Sequence, residues 1–393
     1  VGQRVASTYT SDLSEAGRTL LIEDAIELAK LSEPDEFAGP PDPSELSAPS
    51  DWTDLDTFDE AIGAIRAEEA LERALVGEQA AFDWDPRITN SEGASFTRAR
   101  GASALVTSGG FAGGDTGTYA SIVVTPVADD EGGKKRRGYH WAASRHYETL
   151  EASRAVGEEA ARRTVAQLGA RKLKTQELPV VFDKDAARSI LGLFAGCVLG
   201  GSIWRKSSYL VDRVGSKVAS DLVTIVDDPF LLQGPGSRAF DGEGLLSRRN
   251  LVVQGGELRT FLLDTYSARK LGLRSTASAS RSPSGGISAS TTNLRLEPGP
   301  VSREALIADT PHGLYVTGMM GFGFNSVTGD FSRGASGFLI ENGELGHPVS
   351  EVTISLNLDQ LLQRIDAVAD DVDHRTSIAS PTFRVSSMTL AGA

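Results

Sequence analysis

Cysteine is almost absent from this 393-residue chain, with Cys197 standing alone. A single thiol excludes any disulfide within the chain and fits a reducing compartment. It lies in an apolar stretch, where a thiol behaves as a small hydrophobe, and no charged neighbour in sequence would activate it. Histidine is nearly as scarce. Of His140, His146, His312, His347 and His374, none is followed by glutamate, which excludes every His-Glu zinc-helix motif. Long hydrophobic runs are also missing: residues 190–201 form the longest, 12 residues with four glycines, too short to cross a bilayer. No charged-then-apolar leader stands at Val1, so a cytoplasmic protein with no membrane partner is expected. A Gly-Lys-Ser/Thr phosphate loop and a Gly-x-Ser-x-Gly nucleophile elbow are both absent, leaving nucleotide binding and serine hydrolysis without a motif.

Basic charge is in deficit. Lys and Arg total 39 against 53 Asp and Glu, a net charge of -14. Residues 31–85 hold 16 acids and only Arg66 and Arg73 as bases, so this segment carries the whole imbalance and the rest sums to zero. Duplex affinity comes largely from Lys and Arg displacing phosphate counterions, so a nucleic-acid partner is not expected. The basic run Lys134 to Arg137 follows three acids in a turn-like stretch and reads as a solvated hairpin.

What is present is enough apolar residue, 40%, to bury a large core in two or three domains. Residues 14–30 show helical apolar spacing with Ser14 placed to cap. Residues 31–56, rich in proline, serine and acid, read as a linker. A second helix is expected from Thr57, where Glu60 completes a capping box, and it opens a central domain at 57–175. Short strands follow, with turns expected at Glu92-Gly93, at residues 109–117 and at 129–133, then a helix from Ser153 to Leu168. The C-terminal domain, 178–393, starts with strand 178–182 and continues β-rich, with a last helix at 358–368 and two terminal strands at 382–385 and 387–390. Strands and helices do not alternate strictly. The expected class is therefore α+β, multi-domain, with mixed and antiparallel sheets and a large β-rich C-terminal domain.

Residues 185–201, DAARSILGLFAGCVLGG, read as one helix whose Gly192, Gly196 and Gly200 recur every fourth position. Stacked on one face, they would permit close backbone approach, and a leucine at Gly196 is expected to damage folding or assembly. Nothing at the centre of this helix ligates a metal. His140 and His146, six apart, suit one face of a strand, but no third ligand stands at useful spacing, so a structural or substrate-contact role is favoured over metal binding. The pairs Asp227 with Asp228 and Asp241 with Glu243 have the chemistry of general acids and bases, yet acids beside Pro229 and Gly242 are more often turn formers.

Together with VTIVDDP (223–229), FDGEG (240–244), LLDTYSARKLG (262–272), the glycine-rich 321–345, NSEGASF (90–96) and GYHWAASRH (138–146), the glycine helix resembles the TldD/TldE (PmbA) family, once described as modulators of DNA gyrase. The TldD-type members resemble zinc proteases with a His-Glu-x-x-x-His helix. Here the corresponding helix has no His and no Glu, so the chain is similar to the TldE/PmbA type. The resemblance implies that residues 1–30 are a remnant of the family's first domain. It further implies a non-zinc-binding subunit of a cytoplasmic metalloprotease, with no cofactor of its own, zinc in a TldD-like partner, and a chamber that encloses and cleaves unfolded or short peptides. Self-association is expected where that partner is absent. His140, His146 and Asp241 become substrate or channel candidates, and Gly192, Gly196 and Gly200 mark the degenerate zinc helix. Two alternatives stay open: an independent homodimeric hydrolase with an unrecognised site, and a non-enzymatic binding protein of the gyrase-modulator type.

Overall fold

The computed structural model describes residues 2–282 and 284–392. Helix Glu15–Leu31 begins as expected, the Ser14 hydroxyl accepting the Gly17 amide, but of its residues only Ala29 is buried. The acidic segment that follows is strapped down along its length. Ser47 donates its amide to the Gly244 carbonyl at 2.9 Å, the Tyr266 hydroxyl donates to Asp35 Oδ2 at 2.7 Å, and Lys270 Nζ lies 4.3 Å from the Phe37 ring centre. Phe37, Trp52 and the buried Leu55 interrupt the acids and give the strap apolar anchors.

The helix expected from Thr57 starts later and is broken. Asp59 caps Glu60–Ala64, accepting the Ala61 amide at 2.9 Å, while the Thr57 hydroxyl donates instead to the Thr116 carbonyl. Ile65 turns out of the helix, and a new one, Ala67–Trp84, follows. Strands Ile88–Val106 and Ala112–Asp129 form a long antiparallel hairpin, and Lys135–Arg137 and His140–Ser144 both pair with the second strand. The turn expected at Glu92-Gly93 is a bulge inside the first strand: the register shifts between Ser91 and Ala94, and Gly93 supplies the positive φ of 115°. Much of residues 109–117 likewise belongs to the second strand. Helices Ala67–Trp84 and Ser153–Val165 pack together where a Cβ on Gly157 would overlap the Gly77 carbonyl. Ile122, Val124, Val156 and Ala160 lie buried beneath them. The basic run is solvated as expected at Lys134, Lys135 and Arg137, and only Arg136 is half-buried, against Asp130 at 2.6 Å.

Besides a two-stranded ribbon of Ala279–Arg281 and Ile287–Ala289, the C-terminal region holds two larger sheets. One runs in the order Glu344–Asn357, Asp330–Glu341, His312–Met320, Gln176–Phe182, Phe383–Ala391, Ile365–Val368, parallel only between His312–Met320 and Gln176–Phe182. A further pairing of Glu344–Asn357 with Phe383–Ala391 closes five of these strands into a circuit. The other runs Ile378–Ala379, Leu294–Leu296, Ile225–Asp227, Asn250–Gln254, Glu257–Leu258. Helix Lys184–Val198 touches strands of both sheets and buries Ile190, Leu191, Phe194 and Cys197 in the largest core. The protein is thus an α+β, multi-domain fold with a β-rich C-terminal region.

Three local expectations fail for identifiable reasons. Leu199 is extended, with ψ 137°, so the glycine helix stops at Val198 and Gly200 opens a second helix, Gly200–Trp204. The three glycines therefore do not share one close-packed face: a Cβ on Gly200 would overlap Ser267, while Gly192 touches only Ile378 and Gly196 is exposed with nothing near it. The last helix ends at Gln363 and the chain returns as strand Ile365–Val368, because Ile365 and Val368 are drawn into the core. The two terminal strands are one, Phe383–Ala391, kinked by a bulge between Val385 and Met388.

Candidate functional site

A cavity of about 870 Å³ opens between the strap, the tip of the long hairpin and the C-terminal region. Residues 52–58 form one wall, 103–105 and 114–116 a second, and 237–242 with Arg281 and Ser282 a third. Trp52 and Phe240 give it an aromatic side, their ring centres 4.8 Å apart, with Phe111 packed behind both.

Asp241 lies in this wall, but its carboxylate is fully used. Oδ1 accepts the Glu243 and Leu245 amides at 2.9 and 3.0 Å, and Oδ2 accepts the Ala279 amide at 3.1 Å. Burial pushes its pKa up against those hydrogen bonds. The geometry is that of a turn anchor. Glu243, two residues on, is buried and accepts the Thr265 amide and hydroxyl, and burial pushes it up to about 7. Asp227 accepts the Thr292 amide at 2.7 Å and is raised by burial to about 6, while Asp228 pairs with Arg295 at 3.4 Å. None of the four carboxylates presents a free, paired acid and base to the cavity.

The two candidate histidines are separated. His146 stands behind the strap wall, its Nε2 2.9 Å from the Asp56 carbonyl and 3.3 Å from Asp56 Oδ1. His140 is buried at the start of its strand, with Nε2 3.3 Å from Glu151. Burial first, then the neighbouring Arg163 charge, lowers its pKa, so the ring is neutral and interior. His312 opens strand His312–Met320 and His347 lies in strand Glu344–Asn357, both away from the cavity lining. Sequence reasoning missed Arg238, which lines the cavity with Nε and Nη2 buried and without hydrogen-bond partners. Its surroundings, PGSRAF, carry no motif that would have flagged it.

Helix Lys184–Val198 keeps its charged groups in its first turns, where Asp185 pairs with Arg163 and lies 3.6 Å from Arg188. Beyond Ser189 it offers aliphatic residues, Phe194, glycine and Cys197, whose thiol burial pushes up to about 11. This donor set does not fit a zinc ion. No three of the His, Cys, Asp and Glu side chains among the described residues are arranged to hold a metal. No helix among them is long and apolar enough to cross a membrane.

Residues 60–168 match the family described as PmbA/TldA metallopeptidase central domain, and residues 175–392 its C-terminal domain. The chain belongs to the PmbA/TldD family. It is 38% identical over 389 residues to Metalloprotease PmbA of Escherichia coli O157:H7, covering 99% of this chain and 83% of that protein. A Metalloprotease PmbA homolog of Haemophilus influenzae is 37% identical, over 100% of this chain and 84% of that one. Among solved structures, a putative modulator of DNA gyrase from Bacteroides thetaiotaomicron superimposes with a TM-score of 0.92 at 28% identity, covering 100% of this chain and 87% of that one. TldE from Thermococcus kodakarensis shares the fold, with a TM-score of 0.87 at 23% identity over 100% and 88% of the two chains. The hairpin and C-terminal walls of the cavity thus lie within family domains that carry a metallopeptidase description, whereas the strap wall, residues 52–58, precedes the first matched residue.

Proposed function

We propose that this PmbA/TldD chain is the non-zinc-binding subunit of a cytoplasmic TldD/TldE-type metalloprotease, paired with a TldD-like chain that provides the zinc and the general base. The observation that carries this reading is helix Lys184–Val198: where the TldD type is expected to present two histidines and a glutamate, it has neither residue type and beyond Ser189 offers only aliphatic residues, Phe194, glycine and Cys197. A bound zinc would supply an activated water and polarise the scissile carbonyl, and hydrolysis needs both a held metal and a base. This chain's own residues then bind and orient. Strand Ile88–Val106 is mostly exposed and lies at the edge of its sheet, which suits an extended peptide pairing through its main chain without regard to sequence. The concentrated acidity of residues 31–85 supports a peptide rather than a nucleic-acid ligand. His146 and Asp241 hold walls in place, and His140 belongs to the interior. Metal analysis of the purified chain tests the reading at its root: less than one zinc per chain is expected, and one tightly held zinc per chain contradicts it.

A further inference from the structure

Arg238 is the least explained charge in the molecule. Its guanidinium makes no hydrogen bond and no ion pair within 4 Å among the described residues, although Nε and Nη2 are shut away from water. Asp241 and Asp227 are the acids whose charge acts on it, without direct contact. Asp241 is already spent on three backbone amides, and Asp227 leaves its own Oδ2 without a partner. A buried guanidinium left without a direct anion is costly, and such a group marks either a trapped water or a ligand site. The side chain forms part of the wall of the 870 Å³ cavity, a size that suits a small organic ligand. Beside it Trp52 and Phe240 offer ring faces. The strap and hairpin walls add Asp54 and the exposed Asp115, neither in an ion pair within 4 Å among the described residues. The Arg238 guanidinium, with Arg281 further along the same wall, an aromatic surface and the carboxylates of Asp54 and Asp115 in one cavity complement a ligand with a carboxylate, an apolar side chain and an ammonium group.

We propose that this cavity binds short peptides by their ends, Arg238 receiving the free C-terminal carboxylate, Trp52 and Phe240 an apolar side chain, and Asp54 with Asp115 the amino group. The ligand class rests on the proposed peptide-handling role, whereas the site itself rests on Arg238. It is distinct from main-chain pairing at a sheet edge, which ignores termini.

The test is calorimetric titration of the full chain with the tripeptide Ala-Ala-Phe and with its C-terminal amide. The free acid should bind saturably and the amide about tenfold more weakly or worse, as expected for loss of a charge-assisted pair. Arg238→Gln should erase that difference, and Arg238→Lys should restore part of it. Equal affinity for acid and amide, or no saturable binding at millimolar peptide, overturns the proposal and leaves Arg238 bridged by water only. Because the acid-amide comparison uses the unaltered chain, it decides the matter even if the Arg238 variants fail to fold. Acid-selective binding without peptidase activity in a mixture with a TldD-like chain would sink the subunit role and keep the site; activity without acid selectivity would do the reverse.

Discussion

Gly200 rests directly on Ser267: a Cβ at that position would overlap the serine side chain and crowd Leu263, so only hydrogen fits between helix Gly200–Trp204 and helix Thr265–Leu271. Four residues earlier, Gly196 faces open space. Gly200→Leu should therefore lower stability by about 1–3 kcal/mol or more, the usual range for overpacking, while Gly196→Leu should leave the melting temperature nearly unchanged. Thermal melts of both variants check the pair. Destabilisation by Gly196→Leu alone would restore the expectation drawn from glycine spacing.

Stability should peak in mildly acidic solution. Burial raises Glu243 to about 7 and Asp227 to about 6, so between the ordinary carboxylate range and neutrality the native chain binds more protons than the unfolded one. Stability supported by these neutral acids is complete below pH about 4 and is lost as pH rises through 6 to 7. Glu159 acts oppositely: burial disfavours its charge, but Arg162 and Arg163 outweigh that and hold it at about 2, so its contribution is lost as pH falls from 4.5 toward 2. Melting temperatures between pH 3 and 8 should show this fall on both sides, and Glu243→Gln should flatten the alkaline side. An unchanged slope in that variant would remove Glu243 as the cause.

Cys197 should resist alkylation in the native state, because its thiol is buried and pushed up to about 11. Iodoacetamide at pH 8 followed by mass measurement is the check, with modification expected only after denaturant. Rapid labelling of the native chain would place the thiol in an accessible, activated setting.

His146→Ala should reduce peptide cleavage by the two-chain mixture at most partially, with the effect in KM more than in kcat. The side chain steadies Asp56 in the cavity wall and has no place in bond breaking. A loss of kcat by several orders of magnitude would make it catalytic.

The sequence carries the local elements whose signal is local: Ser14 as a cap, the strand at 178–182, the apolar run of helix Lys184–Val198. It misleads where several residues compete. Thr57 with Glu60 spells a capping box, yet Asp59 takes the amide because Thr57 is drawn to the hairpin carbonyl of Thr116. The glycine stripe implies one face, but Leu199 leaves the helix and turns Gly200 elsewhere. The cavity is invisible in sequence, since its walls come from five segments up to 230 positions apart, 52 to 282. Asp241 was legible as a turn acid flanking glycine, whereas Arg238 becomes notable only once its missing partner is seen.

The division of labour is tested most directly by cleavage of an unstructured peptide by this chain, by a TldD-like chain, and by their mixture, each with and without chelator. The account predicts that this chain alone is inactive, that mixing creates activity, and that chelator abolishes it. Chelator-resistant cleavage by this chain alone, lost on replacing His140, His146 or Asp241, would contradict it and favour an independent hydrolase.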